Sequence, residues 1–478
     1  MEFDLNKKHC FYFNEISQIP RGSRNEKAVS DYVVEFAKKH GYSYLQDDMF
    51  NVIVEKPASV GYEDSEPIIL QAHMDMVCEK NKDIEHDFES DPLQLYVDEE
   101  GWLHAKGTTL GADDGMGVAY MLAILDDKSL EHPALQCVFT VMEEIGLLGA
   151  INLKKEYFRG KRYINLDSGS EDATSVTSSG GARVIVSRKL RYQPCTKPVY
   201  SIKIRGLKGG HSAGKIHMEL GNAIILASRV ANKLIENFDD IELVDFNGGM
   251  KFNAIPREAD LSFASNVKLE DLQACAKTII DQIKDELKYS DEGFDAMIEI
   301  AESSQRSLDP EQSRSIIEFM NVIPNGLQHH SMAIPGLSVA SLNAGVIYIK
   351  DDILFLDDLI RSALPSHGDI TINQLKILSR VFGFDFEVND RYYGWDYSKD
   401  SKLREILRSV LKEKGIKMKE SSTHGGLECG IFKGMIPDLD IITYAPNSYG
   451  EHTPDEKLDL ASFDRTYENL VEVLKRCK

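Results

Sequence analysis

The chain has 478 residues, 42% of them hydrophobic and 28% charged, a composition typical of a globular protein with two or three domains. Acidic residues outnumber basic ones by 77 to 55, and the net charge of −22 argues against a nucleic-acid partner, which requires basic patches. No apolar run of about 18 residues is present, so we expect no membrane span.

The amino-terminal residues and the cysteines bear on the cellular compartment. Residues 1–8 include acidic side chains and contain no apolar segment of signal-peptide length. The seven cysteines are scattered along the chain without a C-x-x-C pair, which is typical of reduced thiols. We therefore expect a cytoplasmic protein.

The first part of the chain alternates strand and helix patterns. Short apolar runs indicate buried strands, and a periodic apolar face indicates each helix. In order, the predicted elements are a helix from Asn25 to His40, strands at 51–54 and 67–73, an acidic loop and hairpin at 79–98, a glycine-rich turn at 107–115 with a helix after it, and strands at 135–141 and 163–166. This alternation predicts an α/β fold with a mostly parallel, doubly wound sheet.

The pattern changes after about residue 190, where half-exposed strands alternate with amphipathic helices. A β-α-β-β-α-β order is followed by a second, weaker set that includes strands near 338–342 and 346–349, and each order is typical of a split βαβ module. Helix and strand patterns like those of the first part resume near residue 400. We predict a first domain of residues 1–187 and 394–478, interrupted by an inserted α+β domain at 188–393.

Side chains able to bind metal follow the buried strands of the first domain. They are His73, Asp75, Asp113, Glu143, Glu144, Asp167 and, late in the chain, His452. The carboxyl ends of parallel strands border one crevice, so these groups are expected to lie close together. Imidazoles and carboxylates without a thiolate suit zinc, manganese or cobalt, and a set of this size can hold two ions about 3.5–4 Å apart.

Five of these segments resemble, in order, the motifs of the two-zinc aminopeptidase, aminoacylase and desuccinylase hydrolases. They are His73-Met74-Asp75, Gly111-Ala112-Asp113-Asp114-Gly115, Glu143-Glu144-Ile145-Gly146, Asn165-Leu166-Asp167-Ser168 and the run from Glu451 to Glu456. Residues 108–113, 253–258 and 426–430 are similar to the bacterial aminoacyl-histidine dipeptidase branch of that superfamily. The resemblance runs nearly end to end.

The resemblance implies a metal centre of two zinc ions, with manganese or cobalt as alternatives. Asp113 would bridge the two ions, and the peptide bond after it, to Asp114, would be cis. His73 and Asp167 would complete one metal site. Glu144 and His452 would complete the other.

The resemblance also implies the catalytic groups. Asp75 would support His73, and Glu143 would act as general base toward a water activated by the two metals, then pass the proton to the leaving amine. The inserted domain would be a lid, in which His211 stabilises the oxyanion of the tetrahedral intermediate.

Three positions are candidates for substrate binding, two of them in the predicted lid. Arg361 and Asn253 would hold the terminal carboxylate, because an Arg fork fits a carboxylate bidentately. Arg361 fits equally well as a surface ion-pair partner. His424 lies near the site by resemblance, without an assigned chemical role. Two segments depart from the family pattern, at Pro365 and before His452, and both bear on substrate preference.

The implied function is hydrolysis of Xaa-His and other dipeptides. A tripeptidase and an N-acyl amino acid deacylase with the same metal centre are alternatives, and so is a metal-free binding scaffold on the same fold. The predicted lid has about twice the length of a single lid module in the superfamily. We therefore expect one chain to supply all catalytic groups, so that a homodimer is not required for catalysis.

Overall fold

A computed structural model describes residues 3–167 and 170–478, so Ser168 of the predicted strand-end motif lies outside the described residues. The chain divides into two compact units. The first unit extends to Thr177 and resumes at Trp395–Ser422 and Leu427–Lys478, and the second comprises Ser178–Gly394 and Thr423–Gly426. The boundary proposed from the sequence at residue 188 falls inside the strand Gly180–Lys189, whose hydrogen-bonded partners all belong to the second unit.

The first unit contains most of the predicted strand–helix alternation. Its elements before the second unit are α1 (Lys8–Ser17), α2 (Lys27–His40), β1 (Ser43–Gln46), β2 (Val52–Lys56), β3 (Ile68–His73), β4 (Leu95–Val97), β5 (Trp102–Ala105), α3 (Ala112–Asp126), β6 (Leu135–Thr140), α4 (Leu148–Asn152), β7 (Arg162–Asn165) and β8 (Ala173–Ser175). A 3₁₀ turn, Lys155–Tyr157, precedes β7.

The second unit follows with a strand-rich set of elements. They are β9 (Gly180–Lys189), β10 (Tyr192–Pro194), β11 (Val199–Arg205), β12 (Gly210–His211), α5 (Ser212–Lys215), α6 (Ala223–Ile235), β13 (Glu242–Gly248), β14 (Ala254–Ile255), β15 (Ala259–Ala264), α7 (Leu269–Glu286), β16 (Asp295–Ile300), β17 (Arg306–Leu308), α8 (Pro310–Val322), β18 (Gly326–His330), β19 (Ser338–Lys350), β20 (Ile353–Ser362), α9 (Pro365–Phe382) and β21 (Asp385–Tyr392). A 3₁₀ turn, Ile216–Met218, follows α5.

The chain then returns to the first unit. The remaining elements are α10 (Lys402–Glu413), β22 (Lys419–Ser421), α11 (Glu428–Met435), β23 (Asp440–Thr443), β24 (Ser448–Tyr449), β25 (Lys457–Asp459) and α12 (Leu460–Arg476). In the part of the chain that the structure describes, no helix combines the length and apolar character needed to cross a bilayer.

The central sheet of the first unit has the order β1-β2-β6-β3-β7-β23 among the described residues. Strands β6, β3, β7 and β23 run parallel, and β1 and β2 add an antiparallel edge. Every residue of β3 and β6 is buried, as expected for parallel strands covered on both faces. Strand β3 lies between β6 and β7, so the connection from β6 to β7 passes over it. Such a switch point opens a crevice at the carboxyl ends of the strands.

The second unit is built around one continuous antiparallel sheet to which two modules contribute strands. Its order is β16-β11-β15-β13-β19-β20-β9-β21, with β18 paired to β19, which makes nine strands among the described residues. Strands β11, β13, β15 and β16 with α6 and α7 form one split βαβ module. Strands β9, β19, β20 and β21 with α8 and α9 form a second. Strand β9 precedes the whole first module in sequence, so the first module is inserted into the second.

The predicted strands at 338–342 and 346–349 prove to be one strand, β19, with a register shift between Ala344 and Val346. Its partner β20 was not predicted, because Asp357 and Asp358 interrupt an otherwise apolar run. Each module has the β-α-β-β-α-β element order of a split βαβ unit.

Candidate active site

The carboxyl ends of three neighbouring strands carry the candidate metal ligands. His73 is the last residue of β3, Glu143 and Glu144 follow β6, and Asp167 follows β7. Asp113 lies in the first turn of α3, where its backbone departs from helical angles. The peptide bond between Asp113 and Asp114 is cis, as the motif resemblance implied. His452 lies between β24 and β25, with a positive φ of 64°.

The first group of donors consists of His73, Asp113 and Asp167. Nε2 of His73 lies 2.9 Å from Oδ1 of Asp113 and 3.7 Å from Oδ1 of Asp167. His73 is 1% exposed. Although burial alone would lower it, the surrounding Asp113, Asp167 and Asp75 carboxylates raise the pKa of His73 well above its usual value.

The second group consists of Asp113, Glu144 and His452. Nε2 of His452 lies 2.9 Å from Oε2 of Glu144 and 3.2 Å from Oδ2 of Asp113. In each group the donor atoms lie within 4.8 Å of one another. Asp113 therefore contributes one carboxylate oxygen to each group, which is the arrangement needed of a ligand shared by two cations.

The electrostatics of these groups fit divalent cations. Hydrogen bonds to Asp113 and Glu144 raise the pKa of His452 to about 11, so these two carboxylates strongly favour a positive charge beside them. Burial, followed by the charge of Asp113, raises the pKa of Asp167 to about 6. Oε1 of Glu144 is buried and has no hydrogen-bond partner among the described residues. The donors are carboxylate oxygens and imidazole nitrogens, and the carboxylates outnumber the imidazoles. Such a set suits zinc, manganese or cobalt.

Asp75 connects a candidate ligand to the candidate base. Nδ1 of His73 lies 3.1 Å from the backbone carbonyl oxygen of Asp75 and 3.5 Å from its Oδ1. The same carboxylate accepts the backbone N–H groups of Glu143 at 3.0 Å and Glu144 at 3.3 Å, and the hydroxyl of Ser23 at 2.8 Å. The Asp75 side chain is fully buried. It can thus orient the His73 ring and the Glu143–Glu144 turn together.

Glu143 has the environment of a proton acceptor. Burial raises the pKa of its carboxyl well above the usual value. His73, Glu143 and Glu144 each offer one donor atom, and these three atoms lie within 4.8 Å of one another. A partly buried carboxyl beside the candidate metal ligands is placed to accept and return a proton.

Three buried residues beside these groups were not assigned a role from the sequence. Glu428 accepts the hydroxyl of Thr140 at 2.9 Å and the side-chain amide of Gln71, and burial raises its pKa to about 8. Arg21 and Glu456 contact the backbone of the ligand-bearing segments. Glu428 and Glu456 belong to the recognisable motifs, which is the one signal that the sequence offered. Arg21 belongs to none of them.

The second unit brings together His211, Asn253, Arg361 and His424, the candidates for substrate contacts. His211 pairs with Ala254 across β12 and β14, which places it beside the Asn253 loop, and the Asn253 carbonyl accepts the N–H of Ser212. Nε of Arg361 donates to the Ser212 hydroxyl at 3.4 Å. Partial removal from water, together with the Arg361 charge, lowers the pKa of His211.

Arg361 is buried without an acidic partner. Arg361 is 6% exposed, and it forms no ion pair among the described residues. The alternative interpretation of Arg361 as a surface ion-pair partner is therefore wrong. A buried guanidinium without a counter-ion is a ready site for a carboxylate.

His424 is held between two serine hydroxyls. Nδ1 lies 2.9 Å from Oγ of Ser179, and Nε2 lies 2.7 Å from Oγ of Ser341. Burial, followed by the Arg361 charge, lowers the pKa of His424 to about 4, so the ring is neutral at physiological pH. A groove of about 660 Å³ on this unit is lined by His211 and Asn253 and by the cations Lys208, Lys251 and Arg257.

A family model described as peptidase family M20/M25/M40 matches residues 69–476. The chain therefore belongs to this peptidase family, which confirms the membership that the motifs predicted. The match includes all five motif segments quoted above, from His73 to Glu456.

Among the relatives, the cytosol non-specific dipeptidase of Escherichia coli (strain K12) is 34% identical over 467 residues, covering 97% of this chain and 96% of that protein. The crystal structure of aminoacylhistidine dipeptidase from Vibrio alginolyticus aligns with a TM-score of 0.89 and 31% identity, covering 98% of this chain and 96% of that one. Aminopeptidase PepT from Bacillus cereus shares the fold, with a TM-score of 0.57 at 16% identity. These similarities confirm the predicted α/β fold class.

Proposed function

We propose that the protein is a metal-dependent dipeptidase that hydrolyses Xaa-His and other dipeptides. Two full-length relatives at 34% and 31% identity bear the names of dipeptidases, which supports this substrate class. The observation that carries the chemistry is the sharing of Asp113: one of its oxygens lies 2.9 Å from His73 and the other 3.2 Å from His452.

His73, Asp113 and Asp167 would hold one divalent cation, and Asp113, Glu144 and His452 the other. When bound, two such cations polarise the scissile carbonyl and lower the pKa of a nearby water molecule. We infer zinc as the metal from the mixed nitrogen and oxygen donors, with manganese or cobalt as alternatives.

In the proposed mechanism Glu143 accepts a proton from the attacking water and returns it to the leaving amine. The Asp75 carboxylate accepts the backbone N–H of Glu143 at 3.0 Å and so fixes the backbone that carries the base. Proton transfer by a positioned carboxylate of raised pKa contributes roughly 10²–10⁴-fold to the rate.

We assign the substrate contacts to the second unit. His211 stabilises the oxyanion of the tetrahedral intermediate, and its lowered pKa leaves it as a neutral hydrogen-bond donor at pH 7. Arg361 and Asn253 bind the terminal carboxylate of the dipeptide. His424 donates to or accepts from Ser341 and Ser179 and shapes the surroundings of Arg361.

The proposal extends to the state and location of the protein. A homodimer is not required for catalysis, so specific activity should be independent of protein concentration across any monomer–dimer transition. The E. coli relative is named a cytosol enzyme, and all seven cysteines of this chain are free, which supports a cytoplasmic location. Cell fractionation tests the location, and secretion into the medium would contradict it.

A hydrolysis panel tests the substrate class. Purified protein supplied with zinc, manganese or cobalt should cleave Xaa-His and other dipeptides faster than tripeptides and N-acetyl amino acids. Preference for a tripeptide or an N-acetyl amino acid would instead support the tripeptidase or the deacylase. The metal-free scaffold is disfavoured by the complete donor set, and it would show no turnover of any member of the panel.

A further inference from the structure

Glu456 holds the segment that carries the shared ligand. Its carboxylate accepts four consecutive backbone N–H groups, those of Leu110 at 2.7 Å, Gly111 at 2.9 Å, Ala112 at 2.8 Å and Asp113 at 3.3 Å. Glu456 is 2% exposed and lies in the same loop as His452. It therefore fixes the His452 loop to the backbone of Asp113 through charge-assisted hydrogen bonds.

Arg21 contacts the same segment as a hydrogen-bond donor, whereas Glu456 is an acceptor. Its guanidinium donates to the carbonyls of Met74 at 3.0 Å and Asp75 at 3.3 Å, immediately after His73, and to the carbonyl of Gly111 at 2.5 Å. Arg21 is 2% exposed. A rigid fork of donors can satisfy three carbonyls from two chain segments at once, which a single ammonium group cannot do with the same geometry.

The two side chains meet at the Gly111 residue. Glu456 accepts its N–H, and Arg21 donates to its carbonyl. Gly111 has a φ of +66°, and a Cβ there would approach the Arg21 guanidinium to 2.5 Å. A Cβ at Gly115 would approach the same guanidinium to 2.6 Å. The two glycines of the motif thus leave the space that Arg21 occupies.

We propose that Arg21 and Glu456 are positioning residues for the metal centre. Together they join the segments that carry His73, Asp113 and His452, so that the two oxygens of Asp113 face the two imidazoles before any cation arrives. The inference rests on the proposed function, because it assigns a role toward the cations that those residues would bind.

Metal affinity measured by calorimetry on chelator-stripped, dialysed protein tests the proposal without recourse to activity. The variants are Glu456→Gln, Arg21→Met and Arg21→Lys, titrated with zinc and with manganese. We expect affinity to fall roughly 10–100-fold in Glu456→Gln and Arg21→Met, as for other residues that orient metal ligands. Arg21→Lys should recover part of the loss, because it keeps the charge but not the fork. At saturating metal, kcat for a dipeptide should fall more than KM changes.

Gly115→Ala provides a variant that keeps both polar groups. Its methyl displaces the Arg21 guanidinium, so it should weaken metal binding in the same direction even if Arg21→Met does not fold. Arg404→Lys is the matched control, since Arg404 is also a buried arginine that donates to two carbonyls, those of Ser398 and Lys399. It should leave metal affinity unchanged.

The outcomes separate the two proposals. Wild-type protein that binds no divalent cation overturns the proposed function and this inference with it. Wild-type protein that binds two cations, with variants that bind them equally well and lose only thermal stability in the metal-free state, overturns the positioning role alone.

Discussion

The carboxylate of Asp75 accepts the backbone N–H of Glu143 at 3.0 Å while its Oδ1 lies 3.5 Å from Nδ1 of His73. One buried side chain therefore contacts both the proposed general base and a proposed metal ligand. The base follows β6 and the ligand ends β3, so Asp75 fixes the relative placement of two neighbouring strand ends.

Replacing Asp75 should impair both functions at once. In Asp75→Asn the charge beside His73 is lost and the side-chain nitrogen cannot accept the N–H of Glu143 or Glu144. We expect metal affinity and kcat each to fall roughly 10–100-fold. Calorimetry and steady-state kinetics measure the two effects. Asp47→Asn is the matched control, because Asp47 likewise accepts two backbone N–H groups, those of Met49 and Asn51. Equal kinetics for Asp75→Asn and the control would contradict the assignment.

Glu143 and Asp113 should separate catalysis from metal binding. Glu143→Gln keeps the size of the side chain and removes the proton acceptor, so we expect kcat to fall by roughly 10²–10⁴-fold with metal content unchanged. Asp113→Ala should instead lose metal, because it removes a donor from both groups. Elemental analysis and kcat on the same preparations give the comparison. Near-normal kcat in Glu143→Gln would refute its role as base.

Arg361 should affect substrates according to their carboxyl terminus. Arg361→Met removes a charge-assisted contact worth about 1.5–3 kcal/mol, so KM for a dipeptide should rise roughly 10–150-fold. KM for the corresponding dipeptide amide should change little, because the amide lacks the anionic partner.

Arg183→Met is the matched control for Arg361. Arg183 lies in the same sheet but is paired with Asp357, at 2.9 Å from its Nε. This variant should lower stability while leaving the ratio of KM values for dipeptide and amide unchanged. An identical rise for dipeptide and amide in Arg361→Met would mean that Arg361 does not bind the carboxylate.

Asp358 should make the second unit less stable as pH rises. Its side chain is fully buried on β20, and neither oxygen has a hydrogen-bond partner among the described residues. Burial, with a contribution from Asp357, raises the pKa of Asp358 well above its usual value. The contribution of such a group to the free energy of unfolding is fully present below the pKa of the unfolded state, about 4, and is lost as pH rises through the pKa of the folded state. The loss is at most about 1.4 kcal/mol per pH unit.

Asp358→Asn removes this titration. Its melting temperature relative to wild type should therefore increase between pH 5 and pH 8. The adjacent Asp357→Asn breaks the pair with Arg183 and should lower the melting temperature instead. Parallel pH profiles for Asp358→Asn and wild type would show that Asp358 has the same pKa in the folded and the unfolded protein, which would contradict the prediction.

Much of the candidate site could be predicted from the sequence because each candidate ligand lies next to an apolar run that is recognisable on its own. The apolar runs that end at His73 and before Glu143 and Asp167 define parallel strands, and parallel strands bring their carboxyl ends together. Arg21 could not be predicted, because it acts on carbonyl groups of distant segments, and a side chain that binds backbone leaves no residue pattern in its partner. The related sequence feature is glycine at positions 111 and 115, where a Cβ would clash with the Arg21 guanidinium.

The second unit was harder to predict for a topological reason. Strand β9 pairs with β20, and more than 150 residues of sequence separate their ends. Nothing in the local pattern of residues 180–189 indicates that they begin the second module. Asp358 adds a further difficulty, since a buried carboxyl in place of an apolar residue disrupts the periodicity by which strands are recognised.

The central claim, a dipeptidase that depends on two cations sharing Asp113, is tested most directly by titrating metal back into chelator-treated protein. Bound metal per chain and dipeptide hydrolysis are followed on the same samples. The account predicts no hydrolysis in the metal-free protein and full activity when two ions are bound per chain. In Asp113→Ala neither should recover. Full dipeptidase activity in protein shown to contain no divalent metal would contradict it.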